Sequence, residues 1–274
     1  MLICDEFVLL NFPKTGSSFA RAAVKAAFKE RHNTGLVKSI TNRLGITEAP
    51  LKELYLPNIK VSGQRKDQHG TYSQIPNKYL DRKVVSVVRN PYSKFISGYE
   101  FKFWAKKPPL PKSEIEEFFP SFPDLTMDEF VDFQKRATRH RLGDQNSLQL
   151  GNQTIQFIQM FFKDPQTILK NLDEKYIASD QFKEDIGDVT FLRQESLKGD
   201  LTDFLASANF SKAECDIVRN YKRVNTTKSK DNSTDKIWTA KAIDYLKDNE
   251  AFLFRMLEYF GLTYEVPKAG MATR

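Results

Sequence analysis

The sequence predicts an α/β fold with a central parallel sheet, helices on both faces and extra helical insertions, and three observations predict it. Glu6–Phe12 (EFVLLNF) is an apolar run that gives way within a few residues to the strong helix formers of Ser17–Glu30. Lys83–Arg89 (KVVSVVR) is a second run, β-branched and without polar alternation, as suits a parallel strand covered on both faces, and a helix opens at Pro91. The long remainder carries helix-start signals ahead of apolar-patterned stretches.

The first junction is Phe12-Pro13-Lys14-Thr15-Gly16-Ser17-Ser18. A lysine, hydroxyl side chains and a glycine stand where a strand hands over to a helix whose Phe19, Ala23, Ala26 and Ala27 share a face. Backbone N–H groups and the helix dipole there favour an anion. The nucleotide P-loop requires G-x-x-x-x-G-K-[ST], whereas Lys14 precedes Gly16 and no earlier glycine is present, which disfavours an ordinary ATP or GTP hydrolase. Taken alone, the junction is equally a basic helix start capped by Ser17.

Next comes Ile59–Ser62, read as a short parallel strand, and then Gly63–Tyr72 with His69. The strand at Lys83–Arg89 delivers Arg89 at its C-terminal end, where open α/β sheets bind ligands. In the helix after it Tyr92, Phe95, Ile96, Tyr99 and Phe103 share one face and Ser93 and Ser97 another. An arginine fork and a serine eight positions on suit a second phosphate group. Lys107–Lys112 (KPPLPK) reads as a surface loop. Helix starts of the S/T-x-x-E type fall at Ser113–Glu116, Thr126–Glu129 and Ser211–Glu214. Arg136–Arg141 is a cationic cluster, either a solvated helix face or a grip for a sulfated or carboxylated sugar. Trp238–Phe260 predicts an amphipathic C-terminal helix, interrupted near Asn249 and stopped at Gly261.

Composition narrows the function classes. Lys and Arg number 42 against 35 Asp and Glu, a net charge of +7, which favours anionic partners. No zinc-finger spacing, basic-zipper heptad or RNA-binding aromatic motif appears, so nucleic acid is not the expected partner. Cys4 and Cys215 stand far apart and read as structural thiols, neither a disulfide nor a metal framework. Without a Gly/Ser linker, repeat or low-complexity tract, the expectation is one domain over 1–274. No signal peptide or membrane-length apolar run is seen, so a cytoplasmic or otherwise soluble chain is expected, either intracellular or with a membrane anchor removed.

The two junctions together resemble those of the sulfotransferases that use 3′-phosphoadenylyl sulfate (PAPS). Pro13–Ser18 looks like their 5′-phosphosulfate loop, and Arg89-Asn90-Pro91-Tyr92-Ser93-Lys94-Phe95-Ile96-Ser97 looks like their 3′-phosphate motif. Asp188–Glu195, continuing through Ser196-Leu197-Lys198-Gly199-Asp200, is similar to the R-x-E-x-L-x-x-D region of carbohydrate-type members. Val224-Asn225-Thr226-Thr227-Lys228 resembles a segment that closes over the nucleotide in relatives. The resemblance implies a P-loop-NTPase-like three-layer sandwich that transfers a sulfuryl group from PAPS to an acceptor hydroxyl, a carbohydrate before others, with adenosine 3′,5′-bisphosphate (PAP) as product and no metal required. Donor-binding residues would be Lys14, Thr15, Gly16, Ser17, Ser18, Arg89, Ser97, Thr227 and Lys228. Lys14 would steady the leaving phosphate.

For the base, only His32, His69 and His140 exist. His69 lies between the two nucleotide motifs, where many members carry a catalytic histidine or glutamate, although the tight Lys-x-His pair is missing here. His32 reads as the end of the first helix, His140 as part of the cationic cluster, and Glu195 as a structural carboxylate that is also an alternative base. A nucleoside-triphosphate-dependent kinase with a degenerate loop and a non-catalytic nucleotide or glycan binder are the competing readings.

Overall fold

A computed structural model of the chain describes residues 1–31, 50–57, 66–143, 148–222 and 238–269. In chain order, β1 (Leu2–Cys4), β2 (Phe7–Leu10), α1 (Ser17–Arg31), β3 (Leu51–Glu53), β4 (Leu56–Pro57), β5 (Lys66–Asp67) and β6 (Lys83–Val88) precede α2 (Pro91–Phe101). Then follow α3 (Lys112–Phe118), α4 (Met127–Leu142), α5 (Asn152–Phe161), α6 (Pro165–Asn171) and β7 (Val189–Arg193). The chain continues through α7 (Leu197–Ser207), α8 (Lys212–Asn220), α9 (Ala240–Asn249) and α10 (Ala251–Tyr259), with short helical turns between some of these elements. The expected strand at Ile59–Ser62 lies outside the described residues.

Two compact units result, each assembled from two chain segments: 1–89 with 187–227, and 90–186 with 228–274. One crossing falls between Arg89 and Asn90, where a strand meets a helix, so no linker marks it in the sequence.

The first unit holds a sheet of order β3-β1-β2-β6-β7. β2, β6 and β7 run parallel, as anticipated. β1, however, is antiparallel to both β2 and β3, so the sheet is mixed, with the expected parallel strands at β2, β6 and β7. The reason is length: β1 is three residues long and joins β2 through Asp5 and Glu6, a connection open only to antiparallel strands. On one face Phe7, Leu9, Val85, Val87 and Leu192 pack with Phe19, Ala23 and Val24 of α1 and Leu201, Phe204 and Leu205 of α7. The alternate residues Val8, Leu10, Val84 and Val88 are buried as well, which is why β2 and β6 show no polar alternation. β4 and β5 form a separate antiparallel pair.

The second unit is helical around an aromatic core that includes Tyr92, Phe95 and Ile96 of α2, Phe130 and Phe133 of α4, and Trp238 and Tyr245. Thr126 and Glu129 form the expected capping box at the start of α4, as do Ser211 and Glu214 for α8 in the first unit. Ser113 is no cap, because Pro111 already fixes the backbone for a helix that begins at Lys112. Phe103 leaves the packed face of α2: Lys102 turns left-handed at φ 49°, ending the helix, and Phe103 is 54% exposed.

The C-terminal helix breaks at Glu250, close to the predicted Asn249. Glu250 is buried, and its carboxylate accepts from Gln153 N (2.9 Å), Thr154 N (2.7 Å) and Thr154 Oγ1 (2.6 Å), capping α5. Burial raises its pKa, partly countered by these hydrogen bonds and by Lys94. No helix among the described residues is long and apolar enough to cross a membrane.

Candidate active site

The loop after β2 is shaped by two left-handed residues, Lys14 at φ 65° and Gly16 at φ 85°. Glycine adopts this conformation readily, whereas a lysine there carries strain of the order of 1 kcal/mol or more, a feature concentrated at functional sites. The double turn sorts the loop: Thr15 and Ser17 are buried, while Lys14, Gly16 and Ser18 retain exposure. Thr15 Oγ1 and Ser17 Oγ both donate to the carbonyl of Phe12, at 2.9 and 2.7 Å. These two hydroxyls therefore lace the loop from inside. Gly16 O receives Phe19 N at 2.9 Å, so Gly16, and not Ser17, stands at the cap position of α1. The N–H groups of Ser17 and Ser18, ahead of that bond, stand at the open end of the helix, the position that favours an anion.

Arg89, one residue beyond β6, comes to the same loop, with Nη1 3.5 Å from the Lys14 carbonyl. From β7, Gln194 N donates to Val88 O at 2.8 Å, and Gln194 and Leu197 close the space beside Gly16. Asp200 of the R-x-E-x-L-x-x-D stretch accepts from Arg193 N at 2.8 Å, holding the turn from β7 into α7, while Glu195 is exposed.

His69 joins this end of the sheet through Asn11, the residue after β2. Its Nδ1 lies 2.7 Å from Asn11 O, and its backbone N–H donates to Asp67 Oδ1 at 2.7 Å. A carbonyl only accepts, so Nδ1 carries the proton and the neutral ring has its lone pair on Nε2, the tautomer a general base needs. Arg21 of α1 ties the neighbouring Gln68 to Glu53 of β3, linking the helix behind the loop to the histidine segment.

Lys14, Gly16, Arg89 and His69 thus share the C-terminal ends of β2 and β6 in the first unit. Ser97 lies half-buried on α2 in the second unit, one turn from Ser93, and Asn90 caps that helix by accepting from Tyr92 N at 2.9 Å. Thr227, Lys228 and His32 lie outside the described residues. His140 is paired with Glu114. Sequence reasoning missed Asn11 and Arg21. Asn11 left one signal, a polar residue closing an otherwise apolar run, while Arg21 left none.

A Cβ at Gly16 would stand 3.1 Å from both Gln194 and Leu197, so the backbone itself forms the wall of the cradle. No curated protein and no solved structure matches the chain. A family model described as the sulfotransferase domain matches residues 5–145. That match spans β2, its loop, His69, Arg89 and Ser97, and covers just over half of the sequence, so the chain belongs to the sulfotransferase domain family and is an enzyme of sulfuryl transfer.

Proposed function

We propose that this sulfotransferase uses PAPS as donor and a carbohydrate hydroxyl as acceptor. PAPS supplies an activated sulfuryl group whose S–O bond to the 5′-phosphate breaks as a new S–O bond to the acceptor oxygen forms, releasing PAP. Lys14 meets the negative charge that grows on the 5′-phosphate, and the first N–H groups of α1 hold its oxygens. Arg89 and Ser97 bind the 3′-phosphate, and Thr227 and Lys228 contribute from the downstream segment that resembles one closing over the nucleotide in relatives. His69 Nε2 takes the acceptor proton. Anchoring Nδ1 on Asn11 O fixes the ring relative to the Lys14 turn, two groups that must act on opposite ends of one in-line transfer.

The observation that carries the reading is the convergence of the left-handed Lys14–Gly16 turn, Arg89 and His69 at one end of the parallel strands. Its test is donor binding by Arg89→Ala. The variant should weaken PAP far more than adenosine 5′-phosphate, because only PAP has the 3′ group. Equal losses would remove the 3′-phosphate assignment. Transfer of label from PAPS to glycans by the wild type, but not by Lys14→Ala, checks the chemistry.

A further inference from the structure

α4 of the second unit is rich in cations, and they fall into two groups. Arg136 and His140 share Glu114, and Arg141 is held by Asn152 and Gln159. Lys135 and Arg139, one turn apart, have no carboxylate partner among the described residues; Lys135 lies 5.7 Å from the ring of Tyr245. These two line a cleft of about 300 Å³, and among the described residues no acidic side chain lines it. Basic residues near a helix C-terminus are the ordinary complement of its dipole, so charge alone identifies nothing. The cleft adds what charge lacks. Thr138, buried between the two cations, lines it, and its hydroxyl sits beside the Tyr245 phenol without a well-formed hydrogen bond among the described residues. Gln149 and Asn249 supply amides to the same cleft, and leucines 142, 148 and 150 supply an apolar wall.

The geometry points to this cleft as a binding site for an acidic sugar unit, a hexuronate or an O-sulfated monosaccharide. Two cations at one wall take a carboxylate or sulfate. The amides match ring hydroxyls, and the leucines match the C–H face of a pyranose. The volume is at the small end for ligand sites and fits one ring rather than a nucleotide. This inference rests on the proposed carbohydrate acceptor and specifies that such an acceptor carries an acidic unit held by the second unit.

Calorimetry on the full chain, without turnover, tests it with three probes: free glucuronate, a glucuronate-terminated oligosaccharide and its glucose-terminated counterpart. The acidic oligosaccharide should bind at least about tenfold more tightly than the neutral one, and Lys135→Gln with Arg139→Gln should abolish that difference, since charged hydrogen bonds contribute about this much each. Binding of free glucuronate at the same site shows that the acidic ring suffices; binding only of the oligosaccharide shows that flanking sugars add to it. Added salt should narrow the preference. Equal binding of acidic and neutral probes, or a preference unchanged in the double variant, overturns the proposal. Because binding is read apart from transfer, an intact preference with no sulfate transfer would instead count against the carbohydrate-sulfation reading. Both substitutions place a good helix former at accessible helical positions, and an unchanged melting transition verifies the fold.

Discussion

Replacing Gly16 with alanine tests the cradle most directly. The residue sits at φ 85°, a conformation that costs an L-residue about 1–2 kcal/mol. The new Cβ would lie 3.1 Å from Gln194 Cγ and from Leu197 Cδ2. Gln194 is half-buried and its side chain can turn aside, but Leu197 is 7% exposed within the core beneath α7, so displacing it adds roughly another 1 kcal/mol. The expected destabilisation is therefore about 2–3 kcal/mol, with donor affinity falling because the loop's N–H groups shift. Urea unfolding reads the first effect as a lowered midpoint at unchanged slope, and calorimetric titration with PAP reads the second. Gly199 supplies the control. It lies inside α7 with nothing within 4 Å of its would-be Cβ, so Gly199→Ala should raise stability by about 0.5–1 kcal/mol. If Gly16→Ala matches wild type in both midpoint and PAP affinity, the left-handed turn and the wall it forms are not features of the folded protein.

His69→Ala should lower turnover by about two to four orders of magnitude while leaving PAP affinity near that of wild type; a nearly normal rate would assign the proton transfer elsewhere. Glu250 gives a pH signature. Burial raises its pKa above the ordinary 4.5, so the native state keeps a proton the unfolded chain has lost, and this group's contribution to stability falls as pH rises from 4.5 through the folded value. Glu250→Gln should flatten that fall in unfolding free energies measured across the same range, and an unchanged slope would show that other groups produce it. Both thiols should resist a disulfide reagent until the chain unfolds: Cys4 and Cys215 are buried, and burial pushes the Cys4 thiol up to about 12. Rapid labelling of folded protein would contradict that packing.

The parts of the site legible in the sequence are those built from neighbours along the chain. An apolar run, a glycine and a block of helix formers within about 20 residues specify β2, the turn and α1, because each choice depends on local backbone preference. The same holds for β6, Arg89 and the helix opened by Pro91. Features set by distant partners were not legible. Asn11 and Arg21 acquire their places from His69, Gln68 and Glu53, dozens of residues away. β1 is too short to show a period, and its direction follows only from the two-residue connection to β2.

The hydroxyls of the loop mark where local inference stops even within a well-read segment. Counting Thr15, Ser17 and Ser18 gives three donors for an anion, yet Thr15 and Ser17 donate to Phe12 O. Which way each side chain faces is decided by φ at Lys14 and Gly16, and two left-handed residues separated by one turn the intervening threonine inward. The consequence is chemical. A cradle whose hydroxyls brace its own backbone presents N–H groups already fixed in position, so binding an anionic donor requires little reorganisation. Thr15→Val should then weaken the donor by loosening the loop rather than by removing a contact, and Thr15→Ser, which keeps the bond to Phe12 O, should restore binding. If Thr15→Ser binds PAP no better than Thr15→Val, the hydroxyl's bond to Phe12 is not what holds the cradle.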